Sequence, residues 1–139
     1  MGKNLFYRLF GIGGIPKTLR PALEREGVLL LDEGISGNVT YENFRAPGRW
    51  HSWKRTWFSG AVVLTQQRFV AFVYAQPIID VPLVDPRFKA LHVSLADDQA
   101  LAIAFDPAVF HADRSGSVTC RFNTPLASQL VTALTSYSN

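Results

Sequence analysis

Between Val28 and Phe122 apolar residues recur at every second position or in short β-branched runs, whereas the segments on either side repeat with the longer period of a helix. The short-period segments follow one another as residues 28–34, 37–44, 49–58, 61–65, 68–74, 78–83, 89–95, 101–105 and 117–122. Gly, Pro, Gln-Gln and Asp-Asp punctuate them, which is the chemistry of turns between strands. Three segments declare an inward face: Leu91, Val93 and Leu95, with His92 and Ser94 outward; Leu101, Ile103 and Phe105; and Val118, Cys120 and Phe122. Strands with one apolar face predict an antiparallel sheet that is packed on one side and wet on the other.

The flanks read differently. Leu5, Phe6, Leu9 and Phe10 fall on one face of a short helix, which Gly11, Gly13 and Gly14 interrupt. A second helix is predicted from Pro16, with Leu19 and Leu23 four apart and Gly27 as its stop; Pro21 inside it makes it short or kinked. At the other end Thr124 suits an N-cap, Pro125 the first helical position, and Leu126, Leu130, Leu134 and Tyr137 form one apolar stripe. Such a helix needs an apolar surface to cover, and the open end of a curled sheet supplies one. The expected fold is therefore mainly β: an antiparallel barrel over residues 28–139 capped by a C-terminal helix, with residues 1–27 as a helical N-terminal extension, all in a single globular unit.

Composition narrows the class. A chain of 139 residues, 47% hydrophobic and 18% charged, has the make-up of one folded domain and not of a disordered tail. The net charge of +3 is uneven, with nine Lys/Arg against five Asp/Glu in residues 1–60 and five against six thereafter. That pattern favours a local anionic contact over whole-surface nucleic-acid binding. One cysteine, Cys120, excludes an internal disulfide, and it falls on the apolar face of its strand. No apolar run is long enough to span a membrane and no cleavable leader is evident, so a cytoplasmic setting is expected, with peripheral membrane contact an option. Asn38-Val39-Thr40 fits a glycosylation sequon, which that setting leaves unused.

Chemistry concentrates in residues 44–60, FRAPGRWHSWKRTWFSG. This stretch holds all three tryptophans, four basic residues and no carboxylate. Read as a strand, one face carries His51, Trp53, Arg55 and Trp57, and the other Trp50, Ser52, Lys54, Thr56 and Phe58. Trp53 and Trp57 are the expected core residues, with Arg55 at the rim or stacked on an indole. Arg45, Arg49, Trp50 and Lys54 then remain as the candidate contact group for an anion or a partner surface. The glycines of residues 11–14 lack the Gly-Lys-Ser/Thr ending of a phosphate loop and read as a hinge. His51, His92 and His111 lie on separate segments, and no Ser/His/Asp or Cys/His arrangement has local support. The sequence thus makes no case for an enzyme and calls for neither a cofactor nor a metal.

Two stretches carry a family resemblance. GAVVLTQQRFVAF, residues 60–72, resembles the strand–turn–strand of bacterial PH-like and GRAM-type domains, and IIDVPL, residues 78–83, fits the segment that follows there. WKRTWF, residues 53–58, is similar to the Trp-Lys-x-Arg-Trp-Phe pattern on the second strand of eukaryotic pleckstrin-homology (PH) domains, whose basic side chains grip inositol phosphates. Lys54 matches the first basic position. Thr56 stands where the second, an arginine, belongs, and Arg55 is one step away on the opposite face. The resemblance implies a PH-like barrel serving as a non-catalytic binding module, with a protein or an anionic lipid surface as partner. An alternative is a lipocalin-like barrel holding a small apolar ligand inside, since Gly48-Arg49-Trp50 resembles the lipocalin Gly-x-Trp.

Overall fold

The computed structural model describes residues 15–138. The expected helix over Leu5–Phe10 and the glycine hinge of residues 11–14 lie outside the described residues.

The chain enters through a short helix, α1 (Arg20–Glu26), whose first turn holds Pro21. Proline has no N–H to contribute, and the first turn is where a helix needs none. The helix accordingly begins at Arg20 and not at Pro16. Gly27, at φ 85°, ends it in a backbone region that a side chain disfavours.

Seven strands follow: β1 (Val28–Ala46), β2 (Arg49–Thr65), β3 (Arg68–Val73), β4 (Gln76–Pro82), β5 (His92–Asp97), β6 (Ala100–Phe105) and β7 (Ser115–Asn123). They form one antiparallel sheet in the order β4-β3-β2-β1-β7-β6-β5. Two 3₁₀ turns, Pro86–Ala90 and Pro107–Val109, join β4 to β5 and β6 to β7, and α2 (Ala127–Ser138) closes the chain. In each turn an aspartate, Asp85 or Asp106, accepts a backbone N–H two residues on, so the proline that follows starts the turn.

The first four predicted segments merge into the two long strands of one hairpin. Shifts in register at Val28/Leu30 and Glu33/Ile35 absorb the irregularities that read as strand ends. Predicted strand residues 89–91 instead complete the first 3₁₀ turn and its exit. Leu95, expected inside, sits beside a bulge on the outermost strand and is 46% exposed.

The main core collects buried side chains from six of the seven strands, the first 3₁₀ turn and α2, among them Phe58, Phe69, Phe88, Ile103, Phe122, Leu130 and Leu134, and Val93 of β5 packs against it. The space between the sheet and α2 is therefore filled by the chain's own side chains. A smaller cluster lies on the outer surface, where Ile15 and Leu23 cover Ala61, Val63, Val70 and Phe72. The second half of β2 and the neighbouring β3 share this double cover, whereas the first half of β2 lacks it.

Buried polar groups tie the elements together. Arg20 donates to both carboxylate oxygens of fully buried Glu33, at 2.8 and 2.6 Å, and so anchors α1 to β1. The Thr124 hydroxyl donates to Asp32 Oδ2 at 2.6 Å and accepts from Leu126 N at 3.1 Å, pinning the approach to α2 against β1. The helix itself starts three residues after Thr124. Thr65 donates to Glu26 at 2.9 Å, and Glu26 also accepts from Arg68.

Cys120 lies in the core, and burial pushes its thiol up to about 12. The thiolate is the reactive form, so the native protein is expected to resist Ellman's reagent at pH 8. One equivalent should react on addition of denaturant; rapid labelling of the native protein would contradict the placement.

Candidate binding surface on the hairpin of β1 and β2

Strands β1 and β2 pair without interruption from Ile35↔Gly60 to Ala46↔Arg49, across the turn Pro47-Gly48. β3 joins β2 only from Gly60 to Leu64, so residues 49–59 run past the third strand, and this end of the β1–β2 ribbon is backed by β7 on the far side of β1 but by no strand beside β2. The consequence for the tryptophans is direct. Trp50, Trp53 and Trp57 are 59%, 58% and 65% exposed, and Phe58 is the residue of this segment that enters the core.

This reverses the expected inward face. Trp53 and Trp57 were the predicted core pair, but they oppose Glu42 and Asn38 on the outer surface. The inner face is set by Val39 opposite Thr56 and Gly37 opposite Phe58. Inner-face residues Lys54 and Thr56 are exposed all the same, because β3 ends before it can pair beside them. Arg55 behaves as expected: its guanidinium lies 5.2 Å from the centre of the Trp53 ring and its Nε donates to Thr40 Oγ1 at 2.9 Å.

The four candidate contact residues divide. Arg45 stands directly opposite Trp50 and both are exposed; Lys54, also exposed, lies on the other side of the irregularity at Asn43, opposite Tyr41. Arg49 turns the other way and lies 5.6 Å from the centre of the Phe44 ring. Asn43, at φ 50°, and a bulge between Glu42 and Arg45 change the parity of β1 here and send Phe44 inward. Phe44 then packs edge-on to Tyr41 at 4.9 Å and stacks with His51 at 6.2 Å.

Behind Arg49 lies a half-open cleft of about 400 Å³. Tyr41, Phe44, Ile78, Phe105 and Phe110 supply its apolar wall, and Arg49 and Arg114 its cationic edge, beside His111; no carboxylate lines it. Burial raises the pKa of the Tyr41 hydroxyl, helped by the nearby Cys120, while Arg49 and Arg114 pull it down. Both arginines therefore act on the same point of the cleft. The sequence reading missed Arg114 and Tyr41, which meet Arg49 only through the pairing of β1 with β7. Among the described residues no group of three His, Cys, Asp or Glu is placed to hold a metal.

No helix of the described residues is long and apolar enough to cross a membrane. No family model matches the chain, and no curated protein matches its sequence.

Proposed function

We propose that this protein is a non-catalytic binding module of PH-like architecture that docks on an anionic membrane surface through the ribbon of β1 and β2. The observation that carries the reading is the exposure of three indoles on a segment with four basic residues and no acid. Exposed indoles suit the boundary between water and lipid, and arginine and lysine suit anionic headgroups. Arg45, Trp50 and Lys54 are the exposed contact residues, and Arg49 connects them to the cationic edge of the cleft. The strand order and the closing helix support the PH-like reading, and the filled interior favours it over an internal-ligand barrel.

Near an anionic surface each basic residue contributes about 1 kcal/mol, so neutralising Arg45, Arg49 and Lys54 together should weaken partitioning roughly 100-fold. Co-sedimentation with phosphatidylserine-containing and phosphatidylcholine-only vesicles, at low and high salt, measures this. Wild-type protein that ignores both vesicle types, or a triple alanine variant that binds as wild type, rejects the reading.

A further inference from the structure

From Arg49 to Ser59, strand β2 has a sheet neighbour on one side only. Just past the end of β3, Tyr74 N–H donates to Ser59 O at 2.8 Å, and its hydroxyl reaches Trp57 O at 3.4 Å. In an antiparallel ladder a residue's N–H and C=O point to the same side, alternating along the strand. The Ser59 bond therefore assigns the main-chain groups of Trp53 and Arg55, and the N–H of Trp57, to the open edge. Among the described residues no backbone group bonds to them there.

The side chains that accompany these edge groups are Trp53, Arg55 and Trp57, all on the outer surface. Arg55 lies between the two indoles, held by Thr40, with its two terminal nitrogens unpartnered among the described residues. A guanidinium presented this way is suited to take a carboxylate with two parallel bonds. Arg121, on the same surface two strands away, is already bonded to Asp97 at 2.6 Å.

A second copy of this chain fits the edge poorly, because pairing ribbon to ribbon sets Lys54 and Arg55 against their own counterparts. Residues 1–14 carry Lys3 and Arg8 and no carboxylate, so charge gives them no hold on Arg55 either. Lipid can cover the indoles but supplies no strand of alternating donors and acceptors.

We propose that the free edge of β2, from Trp53 to Trp57, binds an extended acidic peptide segment of another protein by strand addition. The segment has the pattern apolar-x-acidic-x-apolar. An added antiparallel strand places every second side chain over the outer surface, so a residue opposite Arg55 meets the guanidinium. Its neighbours two positions away meet Trp53 and Trp57. Main-chain bonds supply affinity and these alternate contacts supply selectivity. The inference shares Trp53 and Trp57 with the membrane reading but rests on the free main-chain edge of β2, which that reading does not use.

The probe is the capped peptide Ser-Val-Thr-Glu-Thr-Val-Ser, with lysine in place of glutamate as its counterpart. Tryptophan fluorescence gives affinity, and amide exchange followed by NMR gives position. The glutamate peptide should bind at least about tenfold more tightly than the lysine peptide, and Arg55→Glu should invert that order. It should also slow exchange of the Trp53, Arg55 and Trp57 amides. Methylating the glutamate backbone nitrogen should weaken binding, since that N–H faces Arg55 O in the added ladder. Trp50→Ala should leave peptide binding unchanged while reducing vesicle binding. Equal affinity for both peptides, indifference to N-methylation, or no binding at millimolar peptide overturns the proposal. So does protection of these amides by anionic vesicles with no response to peptide, which would assign the edge to the membrane contact.

Discussion

Arg20→Ala should lower the unfolding free energy by about 3 kcal/mol, at the lower end of the 3–5 kcal/mol typical when one partner of a buried ion pair is removed. Glu33 is fully buried and its two oxygens both accept from Arg20, whose own side chain keeps 21% exposure. Alanine leaves the carboxylate in the interior without its cation. It also frees α1, whose attachment to the sheet otherwise rests on Leu23, Ile15 and the Glu26 contacts. Urea denaturation of wild type and variant measures the difference. Replacing Arg20 and Glu33 together by methionines should recover most of the loss, since an apolar pair of similar volume often replaces a buried ion pair at little cost. A single variant within about 0.5 kcal/mol of wild type, the range of ordinary surface substitutions, would refute the anchoring role.

Phe58→Ala is the second large effect, at about 3–5 kcal/mol. The ring is buried, meets Phe122 edge-on with centres 5.4 Å apart, and lies against Gly37 and Gly60. A Cβ at either glycine would come within 2.1 Å of a carbonyl oxygen on the neighbouring strand, Arg121 O or Phe72 O, and also crowd Phe58. The backbone thus approaches closely at both points, and Phe58 fills the space between them. Trp53→Ala and Trp57→Ala, by contrast, should each change stability by no more than about 0.5–1 kcal/mol, as exposed positions do. Thermal or urea unfolding of the three variants tests the contrast. A tryptophan variant as damaging as Phe58→Ala would return the indoles to the core.

That contrast also marks where the sequence stopped being sufficient. Residues 101–105 and 117–122 have one apolar face each, and Leu101, Ile103, Phe105, Val118, Cys120 and Phe122 are all buried as their alternation requires. Residues 49–58 carry aromatics on both faces, so alternation yields two faces without saying which is inside. Size favoured the indoles; the decision rests instead on Val39 and Gly37 across the ladder and on the end of β3 beside Ser59, neither of which periodicity records. The same holds for the candidate site. The concentration of cations and tryptophans was legible, whereas the inward turn of Phe44, with Arg49 over its ring, depends on the bulge at Asn43. Arg114 and Tyr41 share a cleft only because β7 pairs with β1. The adjacent acids Asp32 and Glu33 read as the end of a strand, yet they lie inside β1, where Arg20 and Thr124 receive them.

The hydrogen bond from Thr124 to Asp32 joins residues 92 apart in the chain, and this span orders events during folding. Strands β1 and β2 meet across a two-residue turn, a closure that takes about 1–10 μs for a hairpin. β1 can meet β7 only after most of the chain has been made and brought back, which belongs to the slow, non-local part of β-sheet folding. The ribbon can consequently form ahead of the sheet that carries it. During that interval the open edge of β2 is longer than in the native protein, because β3 has yet to cover Gly60–Leu64. Lys54 and Arg55 then act as gatekeepers, keeping nascent chains from pairing with one another through the stretch that later serves recognition.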